Sequence, residues 1–266
     1  MKISVIVPTY KPKSYIWECL DSIYNQTLPK NDYELILVLN GCNEPYSTQI
    51  RAWLSKHESL GVQFIQTDES GVSNARNLAL DHVKGEYVTF IDDDDFISPS
   101  FLTELYDKAA PDVVSLCYPY AFNSGALDKQ LPYQITKAYN YCQEHKRTRL
   151  SSKARKFFSG PCMKLIPVRL IHGRKFDVRF KNGEDSLFMF LISDEIDKVA
   201  FTSRNAIYYR RFREESASTT KRTTREKAWN SLKLIREYTR IFMCGGYSLY
   251  FYLSRVIAGI IGVFFN

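Results

Sequence analysis

Near its start the chain carries an almost unbroken apolar run, "ISVIVPTY". Such a run reads as a strand covered on both faces, the kind found in parallel sheets. Behind it, Ile16, Leu20, Ile23 and Tyr24 recur at helical spacing, with Ser14 placed to cap the helix. "YELILVLNG" (33–41) predicts a second buried strand ending in a turn, 45–58 a helix, and "VQFIQT" (62–67) a third strand. Val72, Ala75, Ala79 and Val83 mark one side of a helix over 70–83, and "EYVTFID" (86–92) is a fourth strand. Ser98 and Pro99 read as the cap and first residue of a helix reaching about residue 109. "DVVSLCYPY" (112–120) reads as a fifth strand.

Strand and helix thus alternate through the first 120 residues. The pattern predicts an α/β fold with a mostly parallel, doubly wound sheet and helices on both faces. Ligands of such sheets bind beyond the carboxyl ends of the strands. Pro8, Thr9, Tyr10, Asn40, Asp68 and the run Asp92 to Asp95 all follow predicted strands, so one rim should gather them. Downstream the periodicity weakens. "KRTRLSSKARKF" (146–157) is basic and partly helical, and "NGEDSLFMFLIS" (182–193) a turn followed by a buried helix. "KVAFTSRNAIYYRRF" (198–212) is a strand or hairpin, and "TTREKAWNSLKLIREYTRIF" (223–242) an amphipathic helix. The last segment, "GYSLYFYLSRVIAGIIGVFFN", is almost wholly apolar.

Composition adds limits. A chain of 266 residues, 45% hydrophobic and 24% charged, suits one large α/β domain or one domain with an appendage. The net charge of +7 is local: residues 204–240 hold eleven Lys/Arg against four Glu, and the remainder is balanced. A block of that kind points to an anionic partner. The six cysteines form no CxxC pair and no zinc spacing, and the four histidines form no usable cluster. Free thiols in a reducing cytosol are expected, and the N-terminal apolar run stops too early, at Pro8, to be a signal peptide.

Four adjacent carboxylates at a strand end change the functional picture. Each raises the pKa of the others unless a cation neutralises them. An oxygen-only donor set suits Mg²⁺ or Mn²⁺ shared with substrate phosphates, whereas a solvated acidic turn is the plainer alternative. "FIDDDDFISPSFL" resembles the DxD segment of the inverting family 2 glycosyltransferases, which have a GT-A fold. Four further blocks are similar to that family in the same order: "ISVIVPTYKP", "ESGVSNARNLAL", "NGEDSLF" and "YYRRFREESAS". The resemblance spans about residues 1–220. It implies a GT-A catalytic unit there (a nucleotide-binding half to 120 and an acceptor half beyond), and 221–266 read as a basic and apolar helical extension.

The resemblance also implies roles. Asp94, aided by Asp92, would bind Mn²⁺ or Mg²⁺, with Asp92 and Asp93 near the ribose. Inversion needs one in-line displacement and a base for the acceptor hydroxyl, with no covalent nucleophile. Asp185 is the expected base, supported by Glu184; alternatively the pair only complements a helix N-terminus. Pro8, Thr9 and Tyr10 would meet the nucleobase, and Arg76 the base or diphosphate. Arg210, Arg211 and Arg213, with Ser216 and Ser218, would bind the diphosphate, and Lys164 an acceptor phosphate. In one place the chain departs from the family: where an acid pair usually ends the second strand, Leu39 and Asn40 stand. Asn40 offers a carbonyl acceptor in place of the missing carboxylate.

From Ile241 to Phe265 the only charge is Arg255, and Gly245, Ser248, Tyr252, Arg255, Gly259 and Gly262 recur on one narrow stripe. The stripe could face headgroups, another helix or the catalytic unit. Together with the basic helix before it, the segment suggests peripheral attachment to the cytoplasmic face of an anionic membrane. The expected function is transfer of a hexose from a UDP-sugar to a saccharide acceptor, such as an undecaprenyl-diphosphate-linked sugar, in bacterial surface polysaccharide assembly, with no nucleic-acid partner. The alternatives are a sugar-nucleotide pyrophosphorylase, which lacks support because "PTYKPKS" has no glycine, and a membrane- or nucleic-acid-binding protein with a degenerate catalytic domain.

Overall fold

The computed structural model describes residues 1–150, 153–213 and 223–264. Strands β1 (Ile3–Thr9), β2 (Tyr33–Asn40), β3 (Gly61–Thr67) and β4 (Tyr87–Phe90) alternate with helices α1 (Tyr15–Tyr24), α2 (Tyr46–Leu54) and α3 (Val72–Leu80). Each strand pairs in parallel with its neighbour, and β1 lies between β2 and β4. Every residue of β1 and β2 is buried, which is why their sequences are apolar without alternation.

The chain continues through β5 (Phe96–Ile97), α4 (Phe101–Asp107), β6 (Val113–Leu116), β7 (Tyr118–Asn123), α5 (Gln134–Glu144) and β8 (Lys164–Pro167). It then forms α6 (Glu184–Leu191), β9 (Lys198–Phe201), β10 (Ile207–Phe212), α7 (Thr224–Met243) and α8 (Leu249–Phe264). The main sheet has the order β3-β2-β1-β4-β8-β6-β9, and only β8 runs against its neighbours. A second sheet has the order β5-β10-β7. This is the expected α/β architecture, a mostly parallel sheet with a C-terminal helical extension.

Three local expectations change. The apolar run 112–120 is two strands: β6 belongs to the main sheet, and after Cys117 the chain enters the second sheet as β7. β7 pairs only with β10, so Pro119 sits on an edge strand where its missing N–H is tolerated. Residues 198–212 form no hairpin, because β9 and β10 lie in different sheets. Helix α4 begins after Ser100 rather than Ser98. The Ser98 hydroxyl instead donates to the Asn205 carbonyl at 2.7 Å and accepts the Ile207 N–H at 2.8 Å, tying the α4 entrance to β10.

The C-terminal helices pack on the rest of the protein. α7 opens with a capping box: Thr223 accepts the Glu226 N–H, and Glu226 accepts the Thr223 N–H, which stabilises its first turn by about 1 kcal/mol. Tyr238 of α7 sets its ring edge-on to Phe190 and its hydroxyl 2.6 Å from the Ser186 hydroxyl, both on α6. α8 folds back on α7, with Tyr252 stacked on Phe242 and bonded to Thr239 at 2.9 Å. Arg255 donates to the Phe158 carbonyl at 2.5 Å. The small-and-polar stripe of α8 therefore faces the protein together with Phe251, and Leu249, Leu253, Ile257, Ile260 and Ile261 face outward. No helix among the described residues is long and apolar enough to cross a membrane.

Gly183 fixes how α7 meets α6. Its φ of +87° lies in the left-handed region, and a Cβ there would stand 2.5 Å from Leu234 Cδ1. Gly183→Ala is expected to lower stability by roughly 1–3 kcal/mol, seen as a lower urea midpoint. Adding Leu234→Ala should destabilise by less than the sum of the single changes, since the clash is already gone. An unchanged midpoint in Gly183→Ala would contradict the assignment.

Candidate active site

The four aspartates lie in the turn where the chain leaves the main sheet at β4 and enters the second at β5. β10, the neighbour of β5, brings three arginines to that turn from more than 110 residues away. The repulsion between the carboxylates is offset in part by these distant cations and by Arg76 of α3.

Arg76 is the centre of the network. Its guanidinium is buried and donates to Asp185 Oδ1 at 2.5 Å and to Asp92 Oδ1 at 2.9 Å. The Phe176 ring lies against it, 5.3 Å from centroid to guanidinium carbon. Asp92 also meets Arg210 at 3.5 Å, and its backbone N–H donates to the Tyr208 hydroxyl. Burial pushes the Asp92 carboxyl up, but the charges of Arg76 and Arg210 outweigh it and hold the group below the usual carboxylate range.

Asp93 accepts the Thr9 hydroxyl at 2.5 Å. Burial, with repulsion from Asp94 and Asp92, pushes its carboxyl up to about 7. Asp94 takes Arg213 Nε at 2.7 Å and Nη2 at 2.6 Å. Burial and then Asp92 push it above the usual range, against the pull of Arg213. Asp95 is buried, accepts the Arg211 N–H at 2.7 Å, and leaves Oδ2 without a hydrogen bond. Arg211 also spans the turn from the Asp94 carbonyl, at 2.8 Å, to the Glu18 carboxylate.

One carboxylate oxygen each from Asp92, Asp94 and Asp95 lie within 4.8 Å of one another. This all-oxygen set, in which the buried Oδ2 of Asp95 has no hydrogen bond and meets Arg210 Nε only at 4.0 Å, fits a hard divalent cation. The sequence pointed to Asp92 and Asp94; the turn adds Asp95 and directs Asp93 to Thr9 instead.

Asp185 and Glu184 open α6. Asp185 is half-buried, and burial pushes its carboxyl up despite Arg76. Glu184 is buried with Oε2 lacking a partner, and burial followed by Asp185 pushes it up to about 7. Both stand in the first turn of α6, where their charge also complements the helix N-terminus. The pair faces the acidic turn through Arg76.

The rim of β1 to β3 holds a cavity of about 340 Å³ lined by Cys42, Asn43, Gln66, Thr67 and Asp68. Asp68 is exposed on it. Pro8 and Thr9 are buried while Tyr10 is 49% exposed at the end of β1. Asn40 does not serve as an open acceptor. Its amide donates to the Thr9 carbonyl at 2.7 Å and accepts the Gly71 N–H at 2.9 Å, bracing the turns around the cavity while the side chain stays buried. Lys164 is likewise no acceptor contact in this arrangement. It is fully buried, Nζ donates at 2.6 Å to the carbonyls of Gly160 and Cys162, and burial pushes its pKa down to about 8. Ser216 and Ser218 lie outside the described residues. Glu18 and Phe176 joined the site without a signal in the sequence, since neither stands in a motif, whereas Tyr208 opens the "YYRRFREESAS" block although no role was read for it.

Residues 4–172 match the family described as glycosyl transferase family 2. The chain is 28% identical over 213 residues to a poly(ribitol-phosphate) beta-glucosyltransferase of Bacillus spizizenii, covering 79% of this chain and 32% of that protein. It is 28% identical over 240 residues to the poly(ribitol-phosphate) beta-N-acetylglucosaminyltransferase TarS of Staphylococcus aureus, covering 88% of this chain and 40% of that one. It thus spans two fifths or less of the length of these relatives. The crystal structure of S. aureus TarS 1–349 in complex with UDP-GlcNAc superposes with a TM-score of 0.74 at 23% identity, covering 99% of this chain and 73% of that one. The fold, the acidic turn and a match running from β1 past β8 agree, and the chain belongs to glycosyl transferase family 2.

Proposed function

We propose that this protein is a metal-dependent inverting glycosyltransferase that moves a hexose from a UDP-sugar to a saccharide acceptor. The observation that carries the reading is the convergence of Asp185 and the Asp92–Asp95 turn on Arg76, with the cavity at the ends of β2 and β3 on the same strand-end rim as the turn after β4. The nucleoside would occupy that cavity, with Tyr10 available to stack on the base and Asp68 to accept from it. Asp92 and Asp94, joined by Asp95, are the residues to hold Mn²⁺ or Mg²⁺, which when bound supplies charge neutralisation to the diphosphate. Arg210, Arg211 and Arg213 add positive charge at the same rim.

Asp185 accepts the proton of the acceptor hydroxyl as its oxygen attacks the anomeric carbon; the bond from that carbon to the diphosphate breaks, and UDP leaves with the electron pair. Raising of the Asp185 carboxyl by burial favours proton uptake, and Arg76 keeps the group ionised and aimed. The catalytic unit is residues 1–220, and the helices of 221–266 extend it. The relatives' names support a phosphate-bearing glycopolymer as the acceptor class, and the apolar C-terminal helix supports one tethered to lipid diphosphate at the cytoplasmic membrane face. Membership of family 2 sets aside the pyrophosphorylase reading.

The test is UDP release from UDP-glucose, UDP-galactose and UDP-GlcNAc with Mn²⁺, comparing the wild type with Asp94→Ala and Asp185→Ala. Release in the wild type, abolished by chelation and lowered at least about a hundredfold in each variant, is expected. Equal rates in all three proteins would overturn the mechanism.

A further inference from the structure

The outer face of the α7–α8 pair matches no need of a water-facing surface. On α8, Leu249, Leu253, Ile257, Ile260 and Ile261 are each about half exposed and lie on one side of the helix. The opposite side holds Phe251, Tyr252 and Arg255, which contact the rest of the protein. On α7, Trp229 and Leu232 are 63% and 61% exposed, again opposite the residues that meet α6. Because α7 and α8 pack side by side, the two outward faces adjoin. Exposed apolar surface of this extent marks a contact face.

Charge decides what it contacts. Arg225, Lys233, Arg236 and Arg240 are exposed on the outer side of α7, interleaved with Trp229 and Leu232. Arg225 and Arg236 have no ion-pair partner among the described residues. A second copy seated on this face by a twofold axis would set the basic row against itself, which is unfavourable. An anionic bilayer fits both features at once: aliphatic side chains enter the acyl boundary while the guanidinium and ammonium groups meet headgroup phosphates.

We propose that the outer face of α7 and α8 is an interfacial docking surface for an anionic lipid bilayer, with the residues of α8 inserted and those of α7 on the headgroups. The proposal rests on the reading of a lipid-tethered acceptor given above, and it adds the face and the side chains that engage. The inner side of the same helices abuts the elements that carry the proposed base. Arg255 holds the Phe158 carbonyl, Gly160 two residues on lies beside Asp185, and Leu234 closes on Gly183 just before Glu184. Removing the helices would therefore disturb α6, so substitutions on the outer face are the sound probe.

The experiment is flotation of the full chain with vesicles of phosphatidylglycerol and phosphatidylcholine in equal parts, and with phosphatidylcholine alone. The wild type should float with the anionic vesicles, less so at high salt. Ile257→Glu/Ile260→Glu should lower vesicle partitioning at least about tenfold. Arg225→Gln/Arg236→Gln should lower it by about fivefold per charge removed and flatten the salt dependence. Both variants should keep the wild-type Tm and the wild-type rate of UDP release. Absence of flotation, or variants that float like the wild type, would overturn the proposal. So would a stable dimer in lipid-free buffer that Ile257→Glu/Ile260→Glu dissociates. Intact UDP release without flotation defeats the docking surface alone, and flotation without UDP release defeats the glycosyltransferase reading alone.

Discussion

Asp185→Asn is expected to lower kcat for sugar transfer by about 10²–10⁴-fold, the usual contribution of a positioned general base, while leaving the Kd for UDP within a few-fold of the wild type. Asparagine has the shape of aspartate and keeps an oxygen for Arg76 to bind, but it takes up no proton at neutral pH. Asp92, Asp93 and Asp94 are held by Arg76, Thr9 and Arg213, and asparagine at 185 leaves Arg76 an oxygen to bind, which is why donor affinity should survive. Steady-state transfer kinetics together with calorimetric UDP binding separate the two effects. A variant that retains more than about a tenth of the wild-type kcat would assign the base elsewhere, and Glu184 with its unpartnered Oε2 would be the next to replace.

Arg76→Ala is expected to lower stability by roughly 3–5 kcal/mol, because it strips the cation from two carboxylates without removing either. For a chain of this size that corresponds to a fall in Tm on the order of 10 °C. The buried guanidinium now bonds Asp92 and Asp185 together. Without it Asp185 loses its one described ion pair, and Asp92 retains only Arg210 at 3.5 Å. The defect should also depend on pH with a defined sign. Asp92 is held below its ordinary value in the folded protein, so its stabilisation is present above about pH 4 and is lost as pH falls through the folded value. Arg76→Ala should therefore be most damaging at neutral pH and least in acid. Arg76→Lys restores charge but cannot fork to two carboxylates, and should fall between alanine and the wild type. Calorimetric melting at pH 7 and pH 4 measures all three, and an Arg76→Ala protein that melts with the wild type would refute the role.

Much of this site was legible from local pattern. Strands covered on both faces are mainly apolar, and a ligand rim follows the carboxyl ends of such a sheet, so the ends of β1, β2 and β4, and of the half-buried β3, were readable with their polar residues Thr9, Asn40, Asp68 and Asp92–Asp95. The NG turn before α6 was readable for a similar reason, since a left-handed residue is needed where the helix starts. Less was legible where one residue type serves two purposes. A lysine near a predicted strand looks the same whether it points to solvent or closes on two carbonyls, and Lys164 does the latter. An asparagine after a strand can face a base or brace two turns, and Asn40 braces. The run 112–120 was apolar in one piece, yet the chain changes sheets within it at Cys117.

By itself the sequence determined the α/β alternation, the rim, the acidic turn and the family resemblance, because each depends on residues within a few positions of one another. Only the tertiary structure decided which charge meets which. Arg76, Asp92 and Asp185 are joined across 109 residues, and β10 brings Arg210, Arg211 and Arg213 to Asp92, Asp94 and Asp95. It likewise decided that the polar stripe of α8 turns inward and its aliphatic side outward. Periodicity shows that a helix has two faces. Which face is covered is settled by packing against partners far away in the chain, a matter of long-range closure that no local spacing encodes.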